Sequence, residues 1–212
     1  LKSLKGGPKK VVGDYVVSYN PELTSLEGAP TEVKGDFVVN DNGLTSLEFS
    51  PANVGKIYNC SNNNLTSLEG CTEQLTNFFC KNNPRLTSLV GGPKKVTKSY
   101  NCSLTGITSL EGAPEQVGGS FICSDCELTS LKGAPVGIQG SFDCSGNKHL
   151  GSLVDGPQVV GLDYYCTRCG LSSLDGSPEH VNGDFNCAYN NLTNLEGTLK
   201  SVGGVFTIRG NN

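Results

Sequence analysis

The sequence predicts a β-rich solenoid with little or no helix. The chain of 212 residues divides without remainder into ten units of 21 or 22 residues, and self-similarity at such a period is typical of stacked coils. Each unit has apolar residues at fixed positions. The 28 glycines and 10 prolines, with only 17% charged residues, suit neither a helical bundle nor a charged disordered tail. We therefore expect ten coils with frequent turns, stacked along one axis.

The ten units form a single predicted domain that spans residues 1–212 without a linker. Eight units are 21 residues long, and the first and the seventh have 22. The units are 1–22, 23–43, 44–64, 65–85, 86–106, 107–127, 128–149, 150–170, 171–191 and 192–212. A representative unit, LTSLEGAPTEVKGDFVVNDNG, has Gly and Pro close together in its middle and lacks an apolar period of about 3.6 residues, so no helix is expected there.

Four positions of the unit are apolar in every copy, which predicts that they point into the core. The fourth residue is always Leu, and the eleventh is Val, Leu or Ile. The fifteenth is aromatic, with Phe78 one place early, so the rings should stack along the axis. The aromatic residues are Tyr15, Phe37, Tyr58, Phe78, Tyr100, Phe121, Phe142, Tyr164, Phe185 and Phe206. Two residues after each ring stands Val, Ile or Cys, and seven of the ten cysteines occupy this position.

The pattern F-x-C-S-x-N-x-L is similar to the leucine-rich repeat signature L-x-x-L-x-L-x-x-N/C-x-L. The whole chain resembles the short bacterial type of that family, in which a turn proline stands midway through each unit, as Pro30 and Pro114 do here. Arrays of LTSLEGAP followed by VGG and an aromatic residue also resemble gene products of tailed bacteriophages and some bacteria. The unit at 65–85 keeps the family spacing, whereas most others have one extra residue, often Gly, which we interpret as a bulge entering the strand.

The resemblance implies a right-handed horseshoe of ten coils. Each coil would contribute one short strand to a parallel sheet on the concave face, with turns or extended segments on the convex face. The N/C position of the signature is expected to hydrogen-bond the backbone at the bend that follows the strand. Coils about 4.8 Å apart would make the sheet about 45 Å long.

Two C-x-x-C pairs, Cys123 with Cys126 and Cys166 with Cys169, have the spacing of dithiol redox centres and of zinc half-sites. In each pair the first cysteine belongs to the apolar position and the second to the N/C position, three residues later. This coincidence of two repeated positions favours a structural role without a metal, and a reactive or metal-binding pair is the alternative. Cys71 replaces the Ala of LEGAP and is interpreted as a small apolar filler.

Alternate residues of a strand face outward, so the position between the aromatic residue and the Cys should line the exposed face of the sheet. It reads Val16, Val38, Asn59, Phe79, Asn101, Ile122, Asp143, Tyr165, Asn186 and Thr207, and its variety is typical of a recognition surface. Apolar and amphipathic groups of this kind anchor protein interfaces. The predicted partner-binding residues are Phe79, Ile122 and Tyr165, with Arg168 and Tyr189 at the neighbouring outward position. Scattered surface apolar residues are the alternative interpretation.

Three polar rows accompany these positions. Asp14, Asp36, Asp163 and Asp184 share an outward position, which indicates either an acidic surface for a basic partner or a simple solvated face. A row of acidic residues after the LTSL segments is interrupted by Lys5 and Lys132, and a single row offers too few oxygens for a complete calcium shell. A row of threonines raises ice binding as a further possibility, although a flat lattice of two rows would be expected for it.

Composition and motifs argue against several classes of function. The two histidines, His149 and His180, stand in no readable arrangement with a nucleophile and an orienting acid, so we expect no enzyme, no cofactor and no metal site. The net charge of −4 makes nucleic acid an unexpected partner. No apolar run approaches the roughly 18 residues of a membrane span, so no membrane association is expected.

These observations predict a non-catalytic module that binds a protein partner through the exposed sheet. The alternative is a structural component of a larger assembly, such as a phage virion or a surface layer. No polar caps are visible at the terminal coils, and end-to-end contacts are therefore a further expectation. Cysteine used as a buried apolar residue favours a reducing compartment, such as the cytoplasm of a bacterial or phage-infected cell, with a virion location as the alternative.

Overall fold

The computed structural model describes residues 1–211, which form a parallel β-solenoid without a helix in that range. Each unit contributes two strands of two or three residues. The first strands of the units are β1 Lys10–Val11, β3 Glu32–Val33, β5 Asn53–Val54, β7 Gln74–Leu75, β9 Lys95–Val96, β11 Gln116–Val117, β13 Gly137–Ile138, β15 Val159–Val160, β17 His180–Val181 and β19 Ser201–Val202. The second strands are β2 Tyr15–Val16, β4 Phe37–Val38, β6 Ile57–Asn59, β8 Asn77–Phe79, β10 Tyr100–Asn101, β12 Phe121–Ile122, β14 Phe142–Asp143, β16 Tyr164–Tyr165, β18 Phe185–Asn186 and β20 Phe206–Thr207.

The second strands form one continuous parallel sheet of ten strands, which we call the long sheet. The first strands form three shorter parallel sheets of three, five and two strands, in the orders β1-β3-β5, β15-β13-β11-β9-β7 and β17-β19. The expectation of one strand per coil was therefore wrong, because the apolar residue at the eleventh position belongs to a strand of its own.

The extra residue before the aromatic position is not a bulge, as we had expected, but part of a corner between two sheets. In VGGSF at 117–121, the first strand ends at Val117 and the second begins at Phe121. A Cβ on Gly119 would lie 2.8 Å from the backbone carbonyl carbon of Lys98 in the preceding coil. Glycine is therefore common at this corner because the coils approach each other closely there.

The predicted column of aromatic residues along the axis is confirmed, with four of its nine neighbouring pairs stacked face to face and the others tilted or edge to face. Each ring pairs in register with the ring of the next unit, from Tyr15 with Phe37 to Phe185 with Phe206. Ring centroids of neighbours lie 5.0 to 6.2 Å apart. Phe78, one place early in the sequence, still pairs with both Tyr58 and Tyr100, because its unit has one residue fewer between the two strands.

The core is built from the apolar positions that the repeat predicted. Leucines, rings and strand cysteines of the inner units are buried, as Leu110, Phe121 and Cys123 show with 0% exposure. The last unit departs from the expectation, since Leu195 and Phe206 are 49% and 38% exposed. A side chain at these positions is covered on both sides only where a coil follows it.

A tight turn follows the second leucine of the unit. In unit seven, the Leu131 carbonyl accepts a hydrogen bond from the N–H of Ala134 at 2.9 Å, and Gly133 has φ +86°. This is the geometry of a type II turn, which needs φ > 0 at its third residue. Phe49 and Asp155 replace glycine at the same position of two other units and still adopt φ +68° and +65°.

We expect Gly133→Ala to lower the free energy of unfolding by about 2–3 kcal/mol and Gly6→Ala by about 1 kcal/mol. Both residues have φ +86°, but a Cβ on Gly133 would lie 2.6 Å from the backbone of Glu111, whereas a Cβ on Gly6 would meet nothing within 4 Å. Urea unfolding of the two variants measures the difference. Equal losses would show that the close approach of the coils contributes nothing.

Candidate functional site

The exposed face of the long sheet contains three of the five predicted anchors. Phe79 lies in β8, Ile122 in β12 and Tyr165 in β16, and all three side chains are half-buried. They occupy every second strand, so successive anchors lie about 9.6 Å apart along the axis. The sheet therefore presents a spaced row of apolar groups instead of one continuous patch.

Polar residues occupy the same position on the strands between and beside them. The side-chain oxygens of Asn59, Asn101, Asp143 and Asn186 accept hydrogen bonds from the backbone N–H two residues later, at 3.1, 3.0, 2.9 and 3.1 Å. These are local Asx turns that shape the bend after the strand. The residue types at this position therefore vary for two reasons. In the inner units, half of these residues form the turn after the strand, and the aromatic and aliphatic ones present apolar surface.

The row of aspartates links neighbouring coils. Asp14, Asp163 and Asp184 each accept the backbone N–H of a residue in the following unit, at 2.8, 2.9 and 2.8 Å. For Asp163, the hydrogen bond from the N–H of Asp184 is the largest of the effects that hold its pKa below the usual value. The sequence indicated a charged surface here. The structure shows in addition that these carboxylates accept hydrogen bonds from backbone N–H groups of the next coil.

Tyr165 lies beside this acidic row. Its pKa is raised, first by partial desolvation and then by the negative charge of Asp163. Tyr165 therefore offers an apolar ring together with a neutral hydroxyl group on the exposed face.

Arg168 and Tyr189 belong to a different row, at the bend after the strand. The backbone has positive φ at this position in every unit. The row consists of Tyr19, Asp41, Asn62, Asn82, Leu104, Asp125, Gly146, Arg168, Tyr189 and Gly210, with φ between +52° and +80°. Asn, Asp and Gly adopt this conformation readily, whereas Arg168 and Tyr189 are unusual in it. The sequence analysis placed these two anchors at an outward position beside the strand, whereas the structure places them on a strained bend.

The structure brings Arg168 and Tyr189 together and adds a residue that the sequence analysis missed. The guanidinium carbon of Arg168 lies 5.0 Å from the centre of the Tyr189 ring, and that of Arg209 lies 5.5 Å from it. Both distances are in the range of a cation–π contact. Tyr165 precedes Arg168 by three residues, but Phe79 and Ile122 lie on strands farther along the sheet. Arg209 stands one residue before Gly210, which is the equivalent of Arg168 two units later, and an arginine beside that bend was the available indication.

The N/C position hydrogen-bonds the backbone, as expected. Asn147 is buried; its Oδ1 accepts the N–H of Leu128 at 3.1 Å and its Nδ2 donates to the carbonyls of Cys123 and Cys144 at 3.0 and 2.7 Å. At the same position, the Sγ of Cys169 donates to the carbonyl of Cys144 at 3.1 Å. The second cysteine of this C-x-x-C pair therefore contacts a backbone group that Asn contacts elsewhere.

All ten cysteines are free thiols, and all but the half-buried Cys71 are buried. Burial raises the pKa of the strand cysteines, to about 11 for Cys187 and well above the usual value for Cys123. Such thiols remain protonated at neutral pH and are poor nucleophiles. Within residues 1–211 no group of three or more His, Cys, Asp or Glu is arranged to hold a metal ion.

Exposed charges pair across coils. Lys5 contacts Glu27 at 3.0 Å and Lys132 contacts Glu111 at 2.8 Å, so the two lysines that interrupt the acidic row neutralise neighbouring members of it. The Nδ1 of His180 lies 2.7 Å from the Ser201 hydroxyl on the surface.

No helix long and apolar enough to cross a membrane occurs in residues 1–211.

A shallow groove of about 850 Å³ crosses the five-stranded sheet. Gly137 lies in its lining between Gln116 and Val159 of the neighbouring strands, and a Cβ added to Gly137 would meet nothing within 4 Å. Val136 and Val159 beside it are 70% and 64% exposed. The sequence analysis did not identify this groove; the glycine at an otherwise larger outward position was the available indication.

Comparison with known proteins finds no match for this chain among protein-family models, curated proteins or solved structures.

Proposed function

We propose that this chain is a leucine-rich repeat type of solenoid that acts as a non-catalytic module and binds a protein partner through the exposed face of the long sheet. The observation that carries the proposal is the composition of that face. Its aspartates and asparagines are engaged in bonds to the backbone, whereas Phe79, Ile122 and Tyr165 present ring and aliphatic surface with no such bond to make.

The leucine-rich repeat assignment is supported by the N/C position. Its side chains bond the backbone at the bend of successive units, and the strand before it contributes to a continuous parallel sheet. A second strand in each coil distinguishes this solenoid from the simplest form of that repeat.

A protein is the favoured class of partner because of the residue types on this face. Aromatic residues and arginine are enriched where protein interfaces are most strongly stabilised, and Tyr165, Arg168 and Tyr189 lie within two neighbouring units. Burying an aromatic ring together with its neighbours contributes more to binding than isolated surface charges do.

The experiment compares capture of partners by three proteins. One is the parent chain, one carries Phe79→Ser, Ile122→Ser and Tyr165→Ser, and one is a control with the same chemistry changed on and beside the five-stranded sheet, Val136→Ser, Val159→Ser and Leu162→Ser. All three control residues are exposed. Far-UV circular dichroism and thermal unfolding establish that each variant is folded.

We expect a partner from lysate of the source cell to be retained by the parent and the control and lost by the first variant. The partner is then identified by mass spectrometry and its affinity measured with purified protein. If only the control loses the partner, the binding surface is the five-stranded sheet. If all three proteins capture the partner equally, neither face is the binding surface.

The second candidate is a structural role in a larger assembly. It is favoured by the exposed apolar residues Val136, Val159 and Leu162 on and beside the five-stranded sheet, which are 70%, 64% and 53% exposed. Sedimentation of the chain at increasing concentration tests it, because a variant with polar residues at these three positions should then remain monomeric. We propose a reducing compartment for the protein, a proposal that the burial of nine of its ten thiols supports.

A further inference from the structure

We infer that Arg168, Tyr189 and Arg209 form a binding site for carboxylates, and that the partner presents an extended acidic peptide segment to it. The inference rests on the proposed function and names the chemistry of the partner. We call these three residues the arginine–tyrosine cluster.

The geometry leaves the arginines able to bind an anion. Arg168 belongs to the unit before Tyr189 and Arg209 to the unit after it, and their guanidinium carbons lie 5.0 and 5.5 Å from the ring centre. A guanidinium that stacks on a ring uses its flat face, so its N–H groups remain available at the edge. The ring also restricts the two long side chains before a ligand arrives, which lowers the entropy lost on binding.

The charges of the cluster are not neutralised within the described chain. Six lysines form ion pairs with glutamates, but among residues 1–211 none of the three arginines forms one. In a protein of net charge −4, two unpaired guanidinium groups on one tyrosine are a local concentration of positive charge. Carboxylates are favoured ligands because they accept two N–H bonds from one guanidinium.

The backbone beneath the cluster is held by the fold in a conformation that these residues do not prefer. Arg168 and Tyr189 have φ +54° and +57°, at a position where Asn, Asp or Gly occurs in six of the ten units. Their backbone N–H groups donate to the carbonyls of Ala188 and Arg209 at 3.2 and 2.9 Å, which fixes the bend. The chain thus keeps two residues that are unfavourable for the bend but suitable for binding.

The spacing and surroundings favour a peptide over nucleic acid. The arginines belong to units two coils apart, about 9.6 Å. Side chains three residues apart on a peptide in the extended polyproline II conformation lie on the same face and are separated by about 9.3 Å. Asp143 lies in β14, and Asp163 and Asp184 stand directly before β16 and β18, so their charges would repel a continuous polyanion. A segment with two separated carboxylates avoids that repulsion.

The test uses blocked octapeptides as probes, measured by NMR titration of the labelled protein at low salt. One peptide has two glutamates three residues apart, the second has them adjacent, and the third has glutamines in their place. We expect the first to bind, the second to bind several-fold more weakly, and the third at least about tenfold more weakly. Shifted resonances should include those of residues 168, 189 and 209.

The decisive variant carries Arg168→Asn and Arg209→Ser, which are residues the chain itself uses at these positions in other units. It should keep its fold and lose at least about tenfold in affinity for the first peptide. Tyr189→Leu, which preserves charge, should lose several-fold. The control, Lys9→Gln with Arg85→Gln, removes the same charge elsewhere and should bind within about twofold of the parent.

Equal loss in the control, or no binding of the first peptide by the parent, would overturn the inference. So would tighter binding of a single-stranded oligonucleotide than of the peptide. The two proposals can fail separately. If partner capture depends on Phe79, Ile122 and Tyr165 while peptide binding is unchanged in the arginine variant, the proposed function stands and only the carboxylate site is wrong. If partner capture does not depend on those three residues, the proposed function is wrong whatever the peptides do.

Discussion

Above about pH 9 we expect the free energy of unfolding to fall steeply, until the protein unfolds near pH 10 without any denaturant. The pKa values of nine cysteines are raised in the folded protein, with burial as the largest cause for all of them except Cys144, where a hydrogen bond with Cys169 raises the pKa more than burial does. The nine are Cys60, Cys71, Cys80, Cys102, Cys123, Cys126, Cys144, Cys166 and Cys187. In the unfolded chain a thiol has a pKa of about 8.5. The folded state therefore holds its protons over a pH range in which the unfolded state releases them.

Because the unfolded state releases these protons first, the free energy of unfolding falls as the pH rises. Below about pH 8 both states are protonated and the stability is complete; between the unfolded and folded pKa values, each thiol costs about 1.4 kcal/mol per pH unit. Nine thiols together cost on the order of 10 kcal/mol at pH 9.5, which is comparable with the whole stability of a typical domain. Buried Tyr58, Tyr100 and Tyr164, whose pKa values are also raised by desolvation, add to the loss at higher pH.

Guanidinium unfolding between pH 7 and 10.5 in the presence of a phosphine reductant measures this dependence. The matched variant carries Cys102→Val, Cys123→Val and Cys144→Val, since Val39 is buried at the same position of unit two. It should have similar stability at pH 7 and lose about one third of the slope above pH 9. If the free energy of unfolding of this variant falls with pH as steeply as that of the parent, the thiols do not cause the alkaline transition.

We expect Asn147→Ala to lower the free energy of unfolding by about 3–5 kcal/mol. Asn147 is 0% exposed, and its loss leaves the N–H of Leu128 and the carbonyls of Cys123 and Cys144 without that partner inside the core. An unsatisfied buried group of this kind costs about 1–3 kcal/mol. The effect is large because one side chain links three backbone groups of neighbouring coils.

Asn147→Cys should recover part of the loss, because Cys169 at the equivalent position donates to a backbone carbonyl through its Sγ. Asn191→Ala is the control: its side chain is exposed and makes one long bond of 3.4 Å to the Gly170 carbonyl, so the expected change is within about 0.5 kcal/mol. Urea unfolding measures all three. A loss for Asn147→Ala no larger than that for Asn191→Ala would contradict the role of the buried amide.

The repeat made the core predictable. A residue that recurs as Leu or as an aromatic ring at one position of ten units must lie on the same side of every coil, so the burial of Leu110 and Phe121 followed from periodicity. The same argument placed Phe79, Ile122 and Tyr165 on the exposed face of a strand. It also explained the C-x-x-C pairs as two repeated positions, and the contacts of Cys169 agree with that interpretation.

By itself, then, the sequence determined the solenoid, the inward residues and the outward row. Only the tertiary structure decided that each coil contains two strands, that glycine marks the corner between them, that Asp163 bonds the next coil, and that Arg168, Tyr189 and Arg209 meet. The physical reason is that periodicity fixes which side of a coil a residue faces. Contacts between coils depend on how closely the backbones approach and which way each side chain leans, and residues about 21 apart acquire those relations only when the coils stack.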